Sequence, residues 1–547
     1  MPIPAVPTLL LAIGGIWLIV GRWVSSSRWS DGCWVVAQLV VAAAMLLEQA
    51  PPASGSVGHL ADEVWLADSL ASAMQWYAWG LGLLFGIGCL GARSPQDRCM
   101  ERLGFLSIQT AGLMLIGSSN DLVSMALAAE VVQFATWALR KLDRQERPTT
   151  NDDARIGQSD LDFSVWIGIT TSCCLWLGIA LLANVAAATQ FDQIRHLLSS
   201  VYVPDSGRVV IGSGSKLGLL AIGLITAGFG SRLGLFPWQI GYLEYARDTS
   251  YWTAGCTILA AQLSGVIALS RLCGAVYVGY RDDISVLLLV LAGLTGAVAA
   301  AFAGLGLMNG EGRLRRWAVS LPMLHSAWFT IGLLAANADA AAPEMGLAAV
   351  DGQPGSLAIL FFAVAASQIG LTGLYLLLSY LSRVSREVEF VDELLGLWRL
   401  HPVPAASLLV VLASLIGQPP LWGFWSNWLI MVAGLNVRVS DGRENTMPHV
   451  GIIVAVAALT IATLITAAVV IRFARTILLE QPISRVELQG RRSALFVGSI
   501  CAGLLLLVGL FPARFLVAVS KIRGVELKTT PDGPAGKHRG SATASVK

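Results

Sequence analysis

A chain of 547 residues that is 55% hydrophobic and only 13% charged carries about half the charge of a soluble domain, for which roughly 25% is usual. Its formal net charge of +2 gives no electrostatic basis for a nucleic-acid partner. Apolar runs of about 20 residues, the length that crosses a bilayer, recur along it and exclude a soluble globular class.

The first run, AVPTLLLAIGGIWLIV, has no Lys or Arg ahead of it. A cleaved signal peptide begins with a basic region, so this run reads as a retained first helix. In chain order the runs predict an all-α polytopic membrane protein of about fourteen spans. Their approximate cores are 5–24, 33–49, 73–92, 104–118, 121–139, 163–188, 213–235, 251–277, 284–308, 317–336, 355–382, 403–434, 449–472 and 493–516. Residues 521–547, polar and poor in aromatics, read as a disordered tail.

The segments between runs alternate in charge. Those after odd-numbered spans are basic: Arg22 and Arg28; Arg93, Arg98 and Arg102; Arg140, Lys141, Arg144 and Arg147; Arg313, Arg315 and Arg316; Arg383 and Arg386; Arg472, Arg475, Arg485, Arg491 and Arg492. Those after even-numbered spans are poorer in Lys and Arg and often acidic, as at Asp62, Glu63 and Asp68 or Asp339 and Glu344. The positive-inside rule then puts odd loops in the cytoplasm and both termini on the outer, periplasmic side of the cell inner membrane.

Two spans contain prolines at telling places, Pro237 in GLFPW and the pair Pro419 and Pro420 in SLIGQPPLWGFWSNW. Proline interrupts the helical ladder, and carbonyls freed inside a membrane need protein or water partners. A packing kink is the simple reading of either break alone. As a pair five spans apart, they point to an internal repeat with a path between its halves. Spans 4–8 and 9–13 form two five-helix repeats, and because five is odd the second is inverted. The resulting divisions are 1–100 for three N-terminal helices, 101–280 and 281–476 for the repeats, 477–520 for a last helix and 521–547 for the tail.

Ionisable groups within a span are costly, about 2.5–3.5 kcal/mol on insertion scales, and mark functional positions by default. Three stand out: Glu130 in SMALAAEVVQFATWAL, Arg232 in FGSRLGLF and His325 in SLPMLHSAWFTIG. Glu130 reads either as half of a structural ion pair with an Arg on a later helix or as a proton-handling group. His325 reads either as a neutral, hydrogen-bonded imidazole or as a side chain suited to passing a proton at neutral pH. The eight cysteines lie mostly inside apolar segments without a C-x-x-C spacing and read as small buried hydrophobes. No metal, flavin, haem or iron–sulfur motif is present in the sequence.

Four stretches together resemble a known family. SSNDLVSMALAAEVVQFATWAL places Glu130 on a family glutamate, and LRRWAVSLPMLHSAWFTIGLLA places His325 on a family histidine. SRLGLFPWQIGYLEYARDTSYWTAGCTILAAQLSG and SLIGQPPLWGFWSNW match the two broken-helix segments. The chain resembles the antiporter-like membrane subunits of respiratory complex I, among them subunit N of the bacterial NADH:quinone oxidoreductase, and the related Mrp-type antiporter subunits. The resemblance implies a subunit of a proton-translocating assembly that does no redox chemistry itself. NADH, flavin, iron–sulfur clusters and quinone would belong to partner subunits, and other membrane subunits and the lipid bilayer would surround this chain. It also implies an axis of buried charges. The family's lysines fall here on Arg232, Gln262 and Asn427, and its Pro-Asp pair on Leu243 and Glu244. Lysine relays protons because burial shifts its pKa; arginine keeps its proton, and amides carry no titratable charge. Of the four axial positions only Glu130 keeps a titratable group. Two readings follow: a pump with a modified route through Glu130, His325 and water, or a non-pumping scaffold or coupling subunit. A separate transporter is a third.

Overall fold

In lipid every backbone N–H and C=O must be bonded within the protein, so long apolar segments fold as helices. A computed structural model describes residues 6–21, 28–48, 69–90, 98–146, 163–199, 216–247, 249–308, 314–339, 355–382, 388, 390–437, 450–481 and 491–520. The two ends of the chain and the polar tail after Lys521 lie outside the described residues.

The helices are α1 (Val6–Gly21), α2 (Arg28–Glu48), α3 (Ser69–Cys89), α4 (Cys99–Ser118), α5 (Leu122–Glu146), α6 (Phe163–Ala186), α7 (Phe191–Ser199), α8 (Lys216–Arg232), α9 (Ile240–Arg247) and α10 (Tyr251–Ala275). Then follow α11 (Arg281–Met308), α12 (Leu314–Asp339), α13 (Ser356–Leu381), α14 (Leu397–Leu400), α15 (Pro402–Leu415), α16 (Trp422–Leu435), α17 (Val450–Leu479), α18 (Arg492–Leu510) and α19 (Pro512–Ser520). One isolated antiparallel bridge joins Asp121 and Gln190. The chain is a polytopic membrane protein. Eight of its described helices, α5, α6, α10 to α13, α17 and α18, are long and apolar enough to cross a membrane. The other expected spans fall short for identifiable reasons. Helices α1 and α2 have short apolar stretches, α3 and α4 carry buried polar side chains such as Gln75 and Gln109, and the spans broken at Pro237 and at Pro419–Pro420 are split.

Helix α10 is buried along its length apart from Gly274. It packs against α4, α5, α8, α12 and α13. Helix α12 is buried beside it despite Pro322 in its interior. That proline has no N–H for the Ala318 carbonyl, and the Tyr375 hydroxyl donates to that carbonyl instead at 3.2 Å. Helices α1, α2, α11 and α17 turn side chains such as Trp17, Leu39, Val290 and Leu464 outward.

The helix ends gather into two sets. At one, Asp143 at the end of α5 pairs with Arg102 at 3.1 Å and accepts from Ser250 Oγ, ahead of α10, at 2.8 Å. The Arg315 guanidinium, from the start of α12, lies 5.2 Å over the Tyr251 ring, and the Tyr251 hydroxyl reaches the Val388 carbonyl at 2.6 Å. At the opposite end of α5, Leu122 N–H bonds the Thr189 carbonyl and Phe191 N–H the Asn120 carbonyl, at 3.0 and 3.1 Å. The Arg271 side chain reaches the Gly117 carbonyl at that end. The first set therefore includes Arg102 and Arg315, which come from two of the segments read as basic.

The two breaks share one backbone construction. After α8, Gly234 has φ 73°, its N–H bonds Ser231 O at 3.1 Å, and Leu235 N–H bonds Gly230 O at 2.9 Å. After α15, Gly417 has φ 75°, its N–H bonds Ser414 O at 3.0 Å, and Gln418 N–H bonds Ala413 O at 2.9 Å. This is the Schellman stop, which needs a residue tolerant of positive φ. In each case the proline bond Phe236–Pro237 or Pro419–Pro420 is cis, and a second half-helix follows. At the second break α16 crosses so tightly that a Cβ on Gly423 would collide with the Ser414 carbonyl. Gly423→Ala should therefore lower the unfolding temperature of the detergent-solubilised protein, read by tryptophan fluorescence at one scan rate. Gly274→Ala, with no atom within 4 Å of the added Cβ, should leave it unchanged or raise it. Equal behaviour of the two would show that the crossing does not constrain the break.

Candidate functional site

The first break delivers a charge. Arg232 is the last residue of α8, so its guanidinium sits at the partially negative end of the helix dipole. One turn back, Gly228 O accepts from Arg232 Nη1 at 3.3 Å, and the guanidinium lies 5.7 Å over the Phe229 ring. Its Nη2 donates to Glu130 Oε1 of α5 at 2.8 Å. From α6, Ser172 Oγ lies 2.8 Å from Oε1 and 3.0 Å from Oε2 of the same carboxylate. The Arg232 side chain is 5% exposed and that of Glu130 31%. The pair is thus closed on the arginine side and open on the carboxylate side. Beyond the break, the Tyr242 hydroxyl bonds the Arg232 carbonyl at 2.7 Å, and Phe236 N–H donates to Thr295 Oγ1 of α11 at 3.0 Å. A small cavity beside Arg232 is lined by Gln133, Thr171, Ser231, Tyr242 and Ala261 among others.

Gln262 follows Ala261 on α10, and its amide is fully engaged. Nε2 donates to Pro322 O at 3.0 Å and Ser326 Oγ at 2.9 Å, and Oε1 accepts from Gln368 Nε2 of α13 at 2.7 Å. Pro322 O is also the acceptor for Ser326 Oγ at 2.9 Å. All of these residues are buried.

His325 lies next to Ser326 on α12 and faces a second small cavity, with Ser367 of α13, Ser414 and Leu415 of α15, and Gly423, Ser426 and Asn427 of α16. The imidazole is 4% exposed, its ring centroid is 6.3 Å from that of Phe329, and Nε2 has no partner among the described residues. The two cavities sit at equivalent breaks, Ser231 in one and Ser414 in the other occupying the same backbone position. At the next position the first break has Arg232 and the second Leu415. The second break therefore has no charge to offer.

The structure thus brings Glu130 and Arg232 into contact and sets His325 and Asn427 around one cavity. Gln262 lies between them, bonded to the segment that carries His325. Pro237, Pro419 and Pro420 all fall at the breaks. Ser172, Ser326 and Gln368 were not singled out from the sequence. Gln368 had a signal, a glutamine in the middle of the apolar run FFAVAASQIGLTG. A serine in such a run carries none until its facing helix is known. Among the described residues no three His, Cys, Asp or Glu side chains converge as a metal site would require.

In fold the chain matches a chain of respiratory complex I from Thermus thermophilus with a TM-score of 0.67 at 18% identity, over 94% of this chain and 99% of that one. It matches a chain of the Mrp complex from Dietzia sp. DQ12-45-1b with a TM-score of 0.72 at 14% identity, over 95% and 97%. In sequence, residues 344–441 match the family described as NADH:quinone oxidoreductase/Mrp antiporter, TM, a segment containing the second break. The chain is similar to NADH-quinone oxidoreductase subunit N 1 of Rhizobium meliloti (strain 1021), 23% identical over 444 residues that cover 80% of this chain and 82% of that protein.

Removing one member of the buried amide network strands its partners, at about 1–3 kcal/mol each. Gln262→Leu should destabilise the protein by that order in a denaturant titration. Gln262→Leu with Gln368→Leu should cost less than the two single changes added, since the groups share a bond. Strict additivity would mean that the two amides act independently.

Proposed function

We propose that this chain is a membrane subunit of a complex I-like NADH:quinone oxidoreductase, contributing to proton translocation through the Glu130–Arg232 pair and not through a continuous proton path of its own. The 2.8 Å contact between the one titratable axial group and a permanently charged guanidinium carries this reading. Protonating Glu130 removes its charge and leaves Arg232 ionised, so the pair can convert a proton or a neighbouring charge into a local rearrangement. The rest of the axis cannot relay by titration. Gln262 and Asn427 stand where the family has lysines, and both hydrogens of the Gln262 amide are committed to Pro322 and Ser326. The carboxylate's exposure of 31% supports an assembly, because a mid-span carboxylate calls for protein or water on its open face.

In this reading the chain has fourteen spans with two inverted five-helix repeats, α4 to α10 and α11 to α17, each with one broken helix. The shared Schellman stops support the repeat. The basic set of helix ends faces the cytoplasm of a bacterial inner membrane, with both termini outside. NADH, flavin, iron–sulfur clusters and quinone reside in partner subunits. A non-pumping scaffold is the second reading, favoured by the same neutral axis, and an Mrp-like cation/proton antiporter subunit is the third.

The test uses the assembled complex in sealed inverted vesicles, with NADH oxidation and acidification followed together. Glu130→Gln should lower the protons moved per NADH while the complex still assembles on a native gel. Arg232→Lys should retain most of the coupling. Unchanged acidification with Glu130→Gln would leave the scaffold reading in place of the proposed one.

A further inference from the structure

Outside the broken-helix core, three chain segments converge on two thiols. Cys89 is the last residue of α3, Cys99 the first of α4, and their Sγ atoms lie 3.6 Å apart. The two are 0% and 6% exposed. The third segment is the start of α18. Arg491 donates through Nη1 to the Cys89 carbonyl and approaches Cys89 Sγ at 3.3 Å, while Ser493 Oγ reaches Leu90 O at 2.8 Å and Gly88 O at 3.3 Å. The Arg491 guanidinium lies against the Cys89 sulfur, and the Cys99 thiol faces the Cys89 carbonyl at 3.6 Å. Cys256, Cys273 and Cys501 are equally buried but have hydrogen-bonding or apolar surroundings without such a pairing. Cys256 lies 3.1 Å from Gln109 Oε1 and Cys273 3.7 Å from the Leu333 carbonyl.

We infer that Cys89 and Cys99 are a modification site, a dithiol that a small hydroperoxide closes reversibly to a disulfide. A hydroperoxide suits the site because a larger disulfide reagent would not reach sulfurs this buried. The Cys89 thiolate attacks one peroxide oxygen, the O–O bond breaks, and the departing hydroxide takes up a proton to leave as water. Sulfur is thereby oxidised to a sulfenic acid. Cys99 sulfur then attacks Cys89 sulfur, the S–O bond breaks, and a second water leaves. Two thiols and one hydrogen peroxide give one disulfide and two waters. The disulfide ties α3 covalently to α4 and draws the Cys89 sulfur from Arg491, loosening the contact of α3 with α18.

The test treats full-length protein in its native membranes with hydrogen peroxide, blocks remaining thiols under denaturing conditions and analyses the peptides by mass spectrometry. A linked Cys89–Cys99 peptide, lighter by two hydrogens and abolished by dithiothreitol, is expected at doses that leave Cys256 and Cys501 alkylated. In Cys99→Ser, dimedone should trap a sulfenic acid on Cys89. Arg491→Gln should slow linkage about fivefold and Arg491→Lys much less, because the cation promotes the thiolate. Should Arg491→Gln fail to accumulate, the ratio of linkage at Cys89 to oxidation at Cys256 in the unaltered protein decides. Full alkylation of both residues at a dose that oxidises exposed Cys173, or oxidation of all cysteines at one rate, overturns the assignment.

Discussion

A helix that stops inside hydrocarbon leaves backbone groups that lipid cannot satisfy, and much of the interior of this protein is arranged around that requirement. At both breaks a glycine near φ 75° turns the last N–H groups back onto the preceding turn. What remains is met by side chains: Tyr242 serves the Arg232 carbonyl, Thr295 the Phe236 N–H, and Ser414 the Gly423 N–H at 3.1 Å. Pro322 poses the same problem on α12, and Tyr375 answers it. Thr295 and Tyr375 come from other spans, while Tyr242 and Ser414 belong to the broken spans themselves, so each interruption relies on its own two halves and on the surrounding bundle. The breaks lie beside the largely buried α10 and α12, and Arg232 lies there with them.

The same construction is then used for different chemistry. A helix C-terminus offers partial negative charge, and the first break uses it to hold a guanidinium. The second has Leu415 in that position and presents polar groups, His325, Ser414 and Asn427, to its cavity. Between the two lie amides whose hydrogen bonds have a fixed direction, from Gln368 to Gln262 and on to Pro322 and Ser326. Such a chain transmits position, because moving one amide strands the next. It does not transmit protons, because a primary amide has no readily exchanged ionised form at neutral pH.

Much of this could be read in the sequence, and what escaped has physical causes. Glu130 and Arg232 stood out because charge in an apolar run is rare, and the prolines because they forbid a continuous ladder. The span count was harder. A break divides one crossing into two short helices, and buried polar residues such as Gln109 lower the apolar signal of helices that are fully enclosed. Gln368 and Ser172 depended on which helix faces which, and neither 3.6-residue periodicity nor composition encodes that. The cysteines read as inert because no local spacing joins residues 89 and 99. Their proximity follows from the meeting of α3 and α4, and their chemistry from Arg491, about 400 residues later in the chain.

The choice of arginine at the first break narrows what the site can do. A lysine paired with Glu130 could lose its proton when the pair opens, so both partners could titrate and the charge could be passed along the axis. Arginine removes that option, leaving protonation of Glu130 or movement of the guanidinium. The surroundings favour a modest movement. If the carboxylate is neutralised, Arg232 still has Gly228 O, the end of α8 and the Phe229 ring within reach, so its charge is not stranded. Glu130 still has the Ser172 hydroxyl. Both states of the pair therefore have partners waiting, which is the condition for a two-state element whose equilibrium a small electrostatic change can bias.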